Sequence, residues 1–225
     1  MEIESIADRA RHHIQEWIIT GQLQPGQQLK EEEVAQRLGI SRPPIREAFK
    51  TLEAEGLIVR KPRRGVYVPE MTAQDVREVY TLKATLYELA IALAMEFIRE
   101  PQIGELESIV QAMEACVAIQ PVDLLHYQAL HQSFLDRILV FSGNVRLRKF
   151  AASLHNQVCR LSYRSLHNPG HLYDSLRYHR RIIGAMQARN RVRACNLMKA
   201  HVLKALDVLL AMFGHPEAES DRAPG

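Results

Sequence analysis

The sequence predicts a mainly α-helical chain in two parts: an N-terminal winged helix-turn-helix with a small β-hairpin wing, and a C-terminal all-α antiparallel helical bundle. Three observations carry that expectation. Residues 39–49, GISRPPIREAF, describe a glycine turn and a capped helix with one apolar and one cationic face. Residues 60–65, RKPRRG, form a basic turn between two apolar, β-branched runs. After residue 73 no strand pattern recurs, and apolar residues fall at helical spacing to residue 213.

Taken in order, Ile6, Ala10, Ile14, Trp17 and Ile18 make the apolar stripe of a first helix, ended by Gly21. Pro25 and Gly26 mark a turn before a short extended piece. Glu32 to Leu38 gives a second helix with Val34, Ala35 and Leu38 on one side, stopped by Gly39. Ser41 stands as N-cap of the third, its hydroxyl expected to satisfy an orphan backbone donor; Pro43 and Pro44 are tolerated only in a first turn, so the helix begins near Arg42. Ile45, Ala48, Phe49 and Leu52 fall at i, i+3, i+4 and i+7 and need a core, while Arg42, Arg46 and Lys50 fall at i, i+4 and i+8 and point elsewhere. A helix anchored on one side and offering guanidinium forks on the other fits a DNA major groove, where Arg pairs with guanine O6 and N7. Leu57 to Arg60 and Gly65 to Val68 read as a hairpin, with Arg60, Lys61, Arg63 and Arg64 at its tip able to lie along phosphates or reach into a minor groove. A lone cationic helix face is most often solvated surface. The ordered combination of helix, glycine turn, capped cationic helix and basic hairpin is what points to double-stranded DNA.

With 225 residues and 47% apolar content the chain can fill two cores, of about 70 and about 140 residues. The net charge is only +3, and residues 1–68 carry eleven Lys or Arg against ten Asp or Glu, so basicity is local to the third helix and the wing. Cys116, Cys159 and Cys195 form no CxxC pair and suit reduced thiols in a cytosol. The chain is charged from Glu2 onward, so no signal peptide is expected, and no apolar stretch approaches the roughly 18 residues of a membrane span. A cytoplasmic protein with no membrane partner is the expectation. The tail over 214–225 is small, polar and Pro-containing and reads as disordered.

The second part reads as six helices, near 73–98, 102–118, 121–141, 145–167, 172–189 and 191–213, punctuated by Pro101, Pro121, Gly143, Pro169 with Gly170, and Arg189-Asn190-Arg191. His179 lies eleven residues before Asn190 and His201 eleven after. At 1.5 Å per residue both stand about 16 Å from the turn, at one height on two antiparallel helices. Such a pair is commonly just hydrogen-bonded, and a shared metal is the sharper alternative.

Residues 3–68 resemble the DNA-binding domain of the GntR family of bacterial transcription regulators, through GQLQPGQQLKEEEVAQRLGISRPPIREAFKTLEAEGLI and RRGVYV. In that family the positions matching Arg42, Arg46 and the Gly65 wing approach DNA. The expected contact set is Ser41, Arg42, Pro44, Arg46 and Lys50 with Lys61, Arg63, Arg64 and Gly65. Glu32 stands where some relatives carry a DNA-contacting Arg, so their operator sequence does not transfer. Residues 75–212 resemble the FCD effector domain of the FadR subfamily, through VREVYTLKATLYELAIALA, FLDRILVFSGN and the 22-residue interval from His179 to His201. The resemblance divides the chain into a DNA-binding domain at 1–69, a linker at 70–74 and an effector-binding and dimerisation domain at 75–213. It also implies a divalent metal, held by an Asp and a His four apart plus two later histidines, that receives a small carboxylate effector.

Carried over from the SGN anchor, the metal positions are His131, Leu135, His179 and His201. A His replaces the usual Asp and a Leu, which binds no metal, replaces a usual His. Lys83 and Tyr87 replace a common Arg and Glu. The three remaining imidazoles suit zinc or nickel better than magnesium or calcium. Alternatively the site is metal-free and Leu135 extends an apolar pocket for a bulkier or acyl-type effector. Lys83, Arg160 and Arg164 are the candidate partners of an anionic effector, Lys83 by alignment and the arginines because they lie on a bundle helix near the pocket; for Lys83 the plain alternative is a snorkelling surface lysine.

The expected molecule is thus a homodimeric regulator, not an enzyme, whose two heads meet a palindromic operator and respond to a small molecule. A metal-dependent hydrolase fused to a DNA anchor is the rival from another class, but no HExxH, GxSxG or P-loop is present. A third possibility is an architectural DNA-binding protein whose bundle only dimerises.

Overall fold

The computed structural model describes residues 5–214. Of the expected tail, 215–225 lie outside the described residues, and Gly214 closes the last helix rather than opening the tail. The fold is mainly helical with one small sheet. Its head comprises α1 (Ile6–Ile19), β1 (Gln28–Leu29), α2 (Glu31–Leu38), α3 (Arg42–Ala54), β2 (Val59–Lys61) and β3 (Gly65–Tyr67). The bundle comprises α4 (Ala73–Phe97), α5 (Glu100–Ala118), α6 (Leu124–Phe141), α7 (Val145–Ser165), α8 (Pro169–Gln187) and α9 (Arg191–Gly214).

In the head, Ala10, Ile14 and Ile18 of α1 pack with Val34 and Ala35 of α2 and with Ile45, Ala48, Phe49 and Leu52 of α3, the apolar stripes that the periodicity marked. Gly39, at φ +67, takes the left-handed turn that ends α2 without a Cβ penalty. The wing is larger than the expected hairpin. The extended piece before α2 joins it, giving the antiparallel order β1-β3-β2 with Leu29 opposite Val66 and Arg60 opposite Val66 on the other side. Leu57 lies before the strand and is buried in the head core.

Ser41 sits at the N-cap with extended backbone, yet its hydroxyl makes no capping bond. The reason is chemical: N2 and N3 of α3 are Pro43 and Pro44, which have no N–H to donate. The expected capping bond is corrected accordingly. Two bundle boundaries move for a related reason. Pro101 and Pro169 stand in the first turns of α5 and α8, where a missing N–H costs nothing, so these helices begin at Glu100 and Pro169 rather than 102 and 172.

The main bundle core draws on all six bundle helices, with Tyr87, Ile91, Phe134, Ile138, Ile182 and Met198 fully buried at its centre. A smaller cluster of Met113, Val117, Tyr127, Leu166 and Leu172 closes one end. Helix α7 meets the head: Cys159 is buried in the head core, the Asn156 Nδ2 donates to the Glu55 carbonyl at 3.2 Å, and Arg160 Nη2 donates to Gln24 Oε1 at 3.1 Å.

Phe49 is 1% exposed at the centre of the head. Phe49→Ala is expected to destabilise the head by about 3–5 kcal/mol, through lost transfer energy and the cavity left behind. Denaturant unfolding followed by circular dichroism checks this, and a loss under about 1 kcal/mol would contradict the assigned packing.

Candidate functional site

Two groups of polar residues need a function, one on the head and one inside the bundle. On the head, α3 buries Ile45, Ala48, Phe49 and Leu52, which turns Arg42, Arg46 and Lys50 outward, all exposed. Ser41 is exposed and Pro44 half-buried at the start of the same helix. Arg42, Lys50, Arg63 and Arg64 have no carboxylate partner among the described residues. Arg46 does: its Nε lies 3.2 Å from each Glu31 oxygen and its Nη2 2.9 Å from Oε2. In the wing, Arg60 pairs with Glu53 of α3 at 3.0 Å and Lys61 lies over the Tyr67 ring. Gly65 has φ +107, and a Cβ there would fall 2.7 Å from Gln28 Nε2, which donates to the Arg64 carbonyl. Glycine therefore fixes the wing tip that carries Arg63 and Arg64.

Inside the bundle, His131 of α6, His179 of α8 and His201 of α9 come together, each offering a ligand nitrogen within 4.8 Å of the others. His179 Nδ1 is 2.6 Å from the Ser175 carbonyl, an acceptor only, so that nitrogen carries the proton and Nε2 keeps a free lone pair. His179 Nε2 is buried and has no partner. His131 Nε2 and His201 Nε2 face each other at 3.3 Å, about the edge of a tetrahedron with metal–nitrogen bonds near 2.0–2.1 Å. Burial holds His131 and His201 well below the ordinary imidazole range, reinforced by neighbouring His179, and lowers His179 to about 4. In the absence of metal one of His131 Nε2 and His201 Nε2 donates to the other; with that proton on the Nδ1 of its own ring, the three imidazole nitrogens form a donor set that fits a borderline divalent ion.

Lys83 of α4 is 4% exposed, which removes the snorkelling alternative. It has no acidic partner among the described residues, lies over the Tyr80 ring at 4.9 Å, and burial pulls its ammonium down to about 8. A cavity of about 30 Å3 lies among Lys83, Tyr80, Gln128, His131, Leu135 and His201, room for one or two waters. Leu135 thus borders the cavity one turn beyond His131. Tyr87 Oη and Gln128 Nε2 are buried nearby without partners. Arg160 and Arg164 do not join this group. They line a groove of about 1200 Å3 between the end of α1, α7 and α9, whereas the same helix turns Ser162 and Ser165 towards Lys83. Helix phase decides this: the α7 stripe of Leu147, Ala151, Leu154, Val158 and Leu161 faces the core, and the choice of the two arginines by their helix alone did not use it. Tyr80, Gln128, His171 and Ser175 were also missed, since nothing local in the sequence marks them.

A family model described as bacterial regulatory proteins, gntR family, matches residues 6–68, and the FCD domain model matches residues 78–204. The chain is 30% identical over 167 residues to the transcriptional repressor RspR of Escherichia coli, covering 74% of this chain and 72% of that one. It is 29% identical over 197 residues to the transcriptional regulator YdhC of Bacillus subtilis, covering 85% and 84%. The solved structure of McbR/YncC from Escherichia coli superposes with a TM-score of 0.77 at 20% identity, over 94% of this chain and all of that one, a likeness of fold. No helix among the described residues is long and apolar enough to cross a membrane.

The buried imidazoles set a pH dependence. Between the lowered folded value of about 4 for His179 and the ordinary value of 6.5, the unfolded chain binds more protons than the folded one, so stability rises with pH. Metal-stripped protein is expected to be at full strength in this respect above pH 6.5 and to lose stability as pH falls towards 4. His179→Gln should reduce that slope. A denaturation midpoint independent of pH across this window would contradict burial of neutral histidines.

Proposed function

Because the chain belongs to the GntR family of bacterial transcription regulators and carries its FCD domain, we propose that it binds a palindromic operator as a homodimer and releases or tightens that hold when a small carboxylate effector, helped by a divalent metal, enters the bundle. It is a DNA-binding transcription regulator, and its relatives are regulators rather than enzymes. One head covers one half-site, so two-fold symmetry doubles the contact. On this reading Arg42, Arg46 and Lys50 meet base edges and phosphates in the major groove, and Ser41 and Pro44 approach the backbone at the helix start. Lys61, Arg63 and Arg64 follow the phosphates, with Gly65 shaping the wing.

The observation that carries the effector reading is the convergence of His131, His179 and His201 beside a buried ammonium, Lys83, that has no anion. A buried unpaired charge is costly, and an incoming carboxylate offsets that cost. When bound, the ion would be held by the three imidazoles and supply positive charge to the same carboxylate. Zinc or nickel suits the set. The 30 Å3 cavity must widen for such a ligand, which couples binding to helix movement. A metal-free reading is favoured by one feature, Leu135 on the cavity wall, which adds apolar surface suited to a bulkier effector. Arg160 and Arg164, being remote from the histidines, serve this effector only if it also spans the head–bundle groove.

Arg46→Ala is expected to weaken specific operator binding by about 1–3 kcal/mol and to relax base preference, as for a bidentate base contact. Arg63→Ala and Arg64→Ala should weaken many sequences alike and flatten the salt dependence. Uniform loss over all sequences for Arg46→Ala, in a fluorescence-anisotropy series, would remove α3 from the groove.

Metal content after dialysis tests the bundle site. Stoichiometric metal in the parent, abolished by His179→Ala, supports the three-histidine site. A metal-free parent that gains metal only on Leu135→His supports the metal-free pocket instead.

A further inference from the structure

Three consecutive acids open α2, and they have three different fates. Glu33 pairs with Lys30 at 2.6 Å, Glu32 has no ion pair among the described residues, and Glu31 reaches across the helix-turn-helix to Arg46, fifteen residues away on α3. All three lie where the α2 dipole favours a carboxylate, which explains an acid there but not the cross-helix contact. Nor does stability explain it, since the Arg46 and Glu31 side chains are 55% and 28% exposed and exposed pairs contribute little.

The geometry is more telling. A guanidinium has five N–H donors in a fixed plane. Glu31 takes one edge, that of Nε and the adjacent Nη2 hydrogen. The free donors are both Nη1 hydrogens and the outer Nη2 hydrogen, and the end of the fork presents two parallel N–H bonds. That pair matches the O6 and N7 acceptors of guanine in a major groove. We propose that Glu31 is a positioning residue for base reading: it grips one edge of the Arg46 fork and presents the other to a guanine, a role that rests on the assignment of α3 as the groove helix.

The surroundings fit this role. The hydrogen bond from Arg46 holds the Glu31 carboxyl below its ordinary range, with further pull from Arg46, Arg42 and Arg60. Glu31 therefore stays ionised among three cations of the DNA face. A free arginine side chain loses much rotamer entropy when it binds a base; one already held by a carboxylate on a neighbouring helix loses less. The α2–α3 packing through Val34, Ala35 and Ile45 fixes the distance between the two side chains.

The test uses the full-length chain and a duplex obtained by selection from a randomised DNA library. Binding is then measured to that duplex, to every single base-pair change in it, and to copies with 7-deazaguanine at each guanine, which removes the N7 acceptor. In the parent, changing the guanine read by Arg46 should cost about 10- to 100-fold. In Glu31→Gln that preference should shrink to about 3-fold or less, at the same position that Arg46→Ala flattens and at no other. Glu31→Asp keeps a charge at the helix start but draws it back by one methylene, and it should flatten the same position. Thermal unfolding reports that each variant is folded. Parent-like preference in a folded Glu31→Gln or Glu31→Asp overturns the inference, and so does flattening at positions that Arg46→Ala leaves alone. If Arg46→Ala itself leaves every base preference intact, the groove assignment fails first, a result distinct from failure of the positioning role.

Discussion

Helix α7 is the constraint on which the two halves of this protein depend, because its surfaces are committed to different interiors. Leu147, Ala151 and Val158 belong to the main bundle core, Cys159 is buried in the core of the head, and Leu166, its C-cap, closes the small end cluster. Burial raises the Cys159 thiol to about 12, so this residue acts as a small hydrophobe between the domains rather than as a reactive group. Interiors packed at crystal-like density transmit displacement rather than absorb it. A shift of α7 must therefore move either the head or the bundle, and Asn156 and Arg160 tie it further to the loops that flank α3 and follow α1.

Electrostatics divide the molecule as sharply as packing does. On the head, cations are exposed and partly left without carboxylates, a surface suited to a polyanion. In the bundle one group of basic side chains is instead turned inward: Lys83, His155, His179 and His201 are buried and His131 is half-buried beside them, and desolvation lowers the affinity of each for a proton. The acid that the resemblance to FCD domains implies at position 131 is a histidine here, and no carboxylate among the described residues lines the pocket beside Lys83. Under the proposed reading, an anion supplied from solution completes such a site.

How much of this was legible in the sequence depended on distance along the chain. The stripes of α1 and α3, the glycine turn at Gly39 and the basic wing are local patterns, and the structure realises them except at Ile6, which stands 50% exposed at the start of α1 before the head core begins. The missing Ser41 cap was legible too, since Pro43 and Pro44 announce that no N–H is available, but the residue type at the cap was read without its two successors. The pairing of β1 with β3 joins residues nearly forty apart, and the Glu31–Arg46 contact crosses a turn whose angle no local pattern gives. In the bundle, the equal spacing of His179 and His201 about Asn190 was enough to bring them level, whereas the direction of Arg160 and Arg164 needed the rotation of α7 about its axis. That rotation can be read from Leu147, Ala151, Leu154, Val158 and Leu161, a single stripe that excludes Arg160 and Arg164, but the two arginines were chosen by their helix alone.

The consequence for regulation follows from what each site can bias. A ligand shifts a conformational equilibrium only by its differential affinity for the two states. Lys83 and the histidines lie on α4, α6, α8 and α9, and Ser162 of α7 bonds to Tyr80 of α4 at 2.8 Å within the same pocket wall. A ligand that widened the 30 Å3 cavity would have to displace one of these helices, and α7 is the one also buried in the head. Under the proposed reading, effector and operator are then coupled through the position of a single helix. The coupling is reciprocal, so DNA that favours one α7 position must change effector affinity by the same factor.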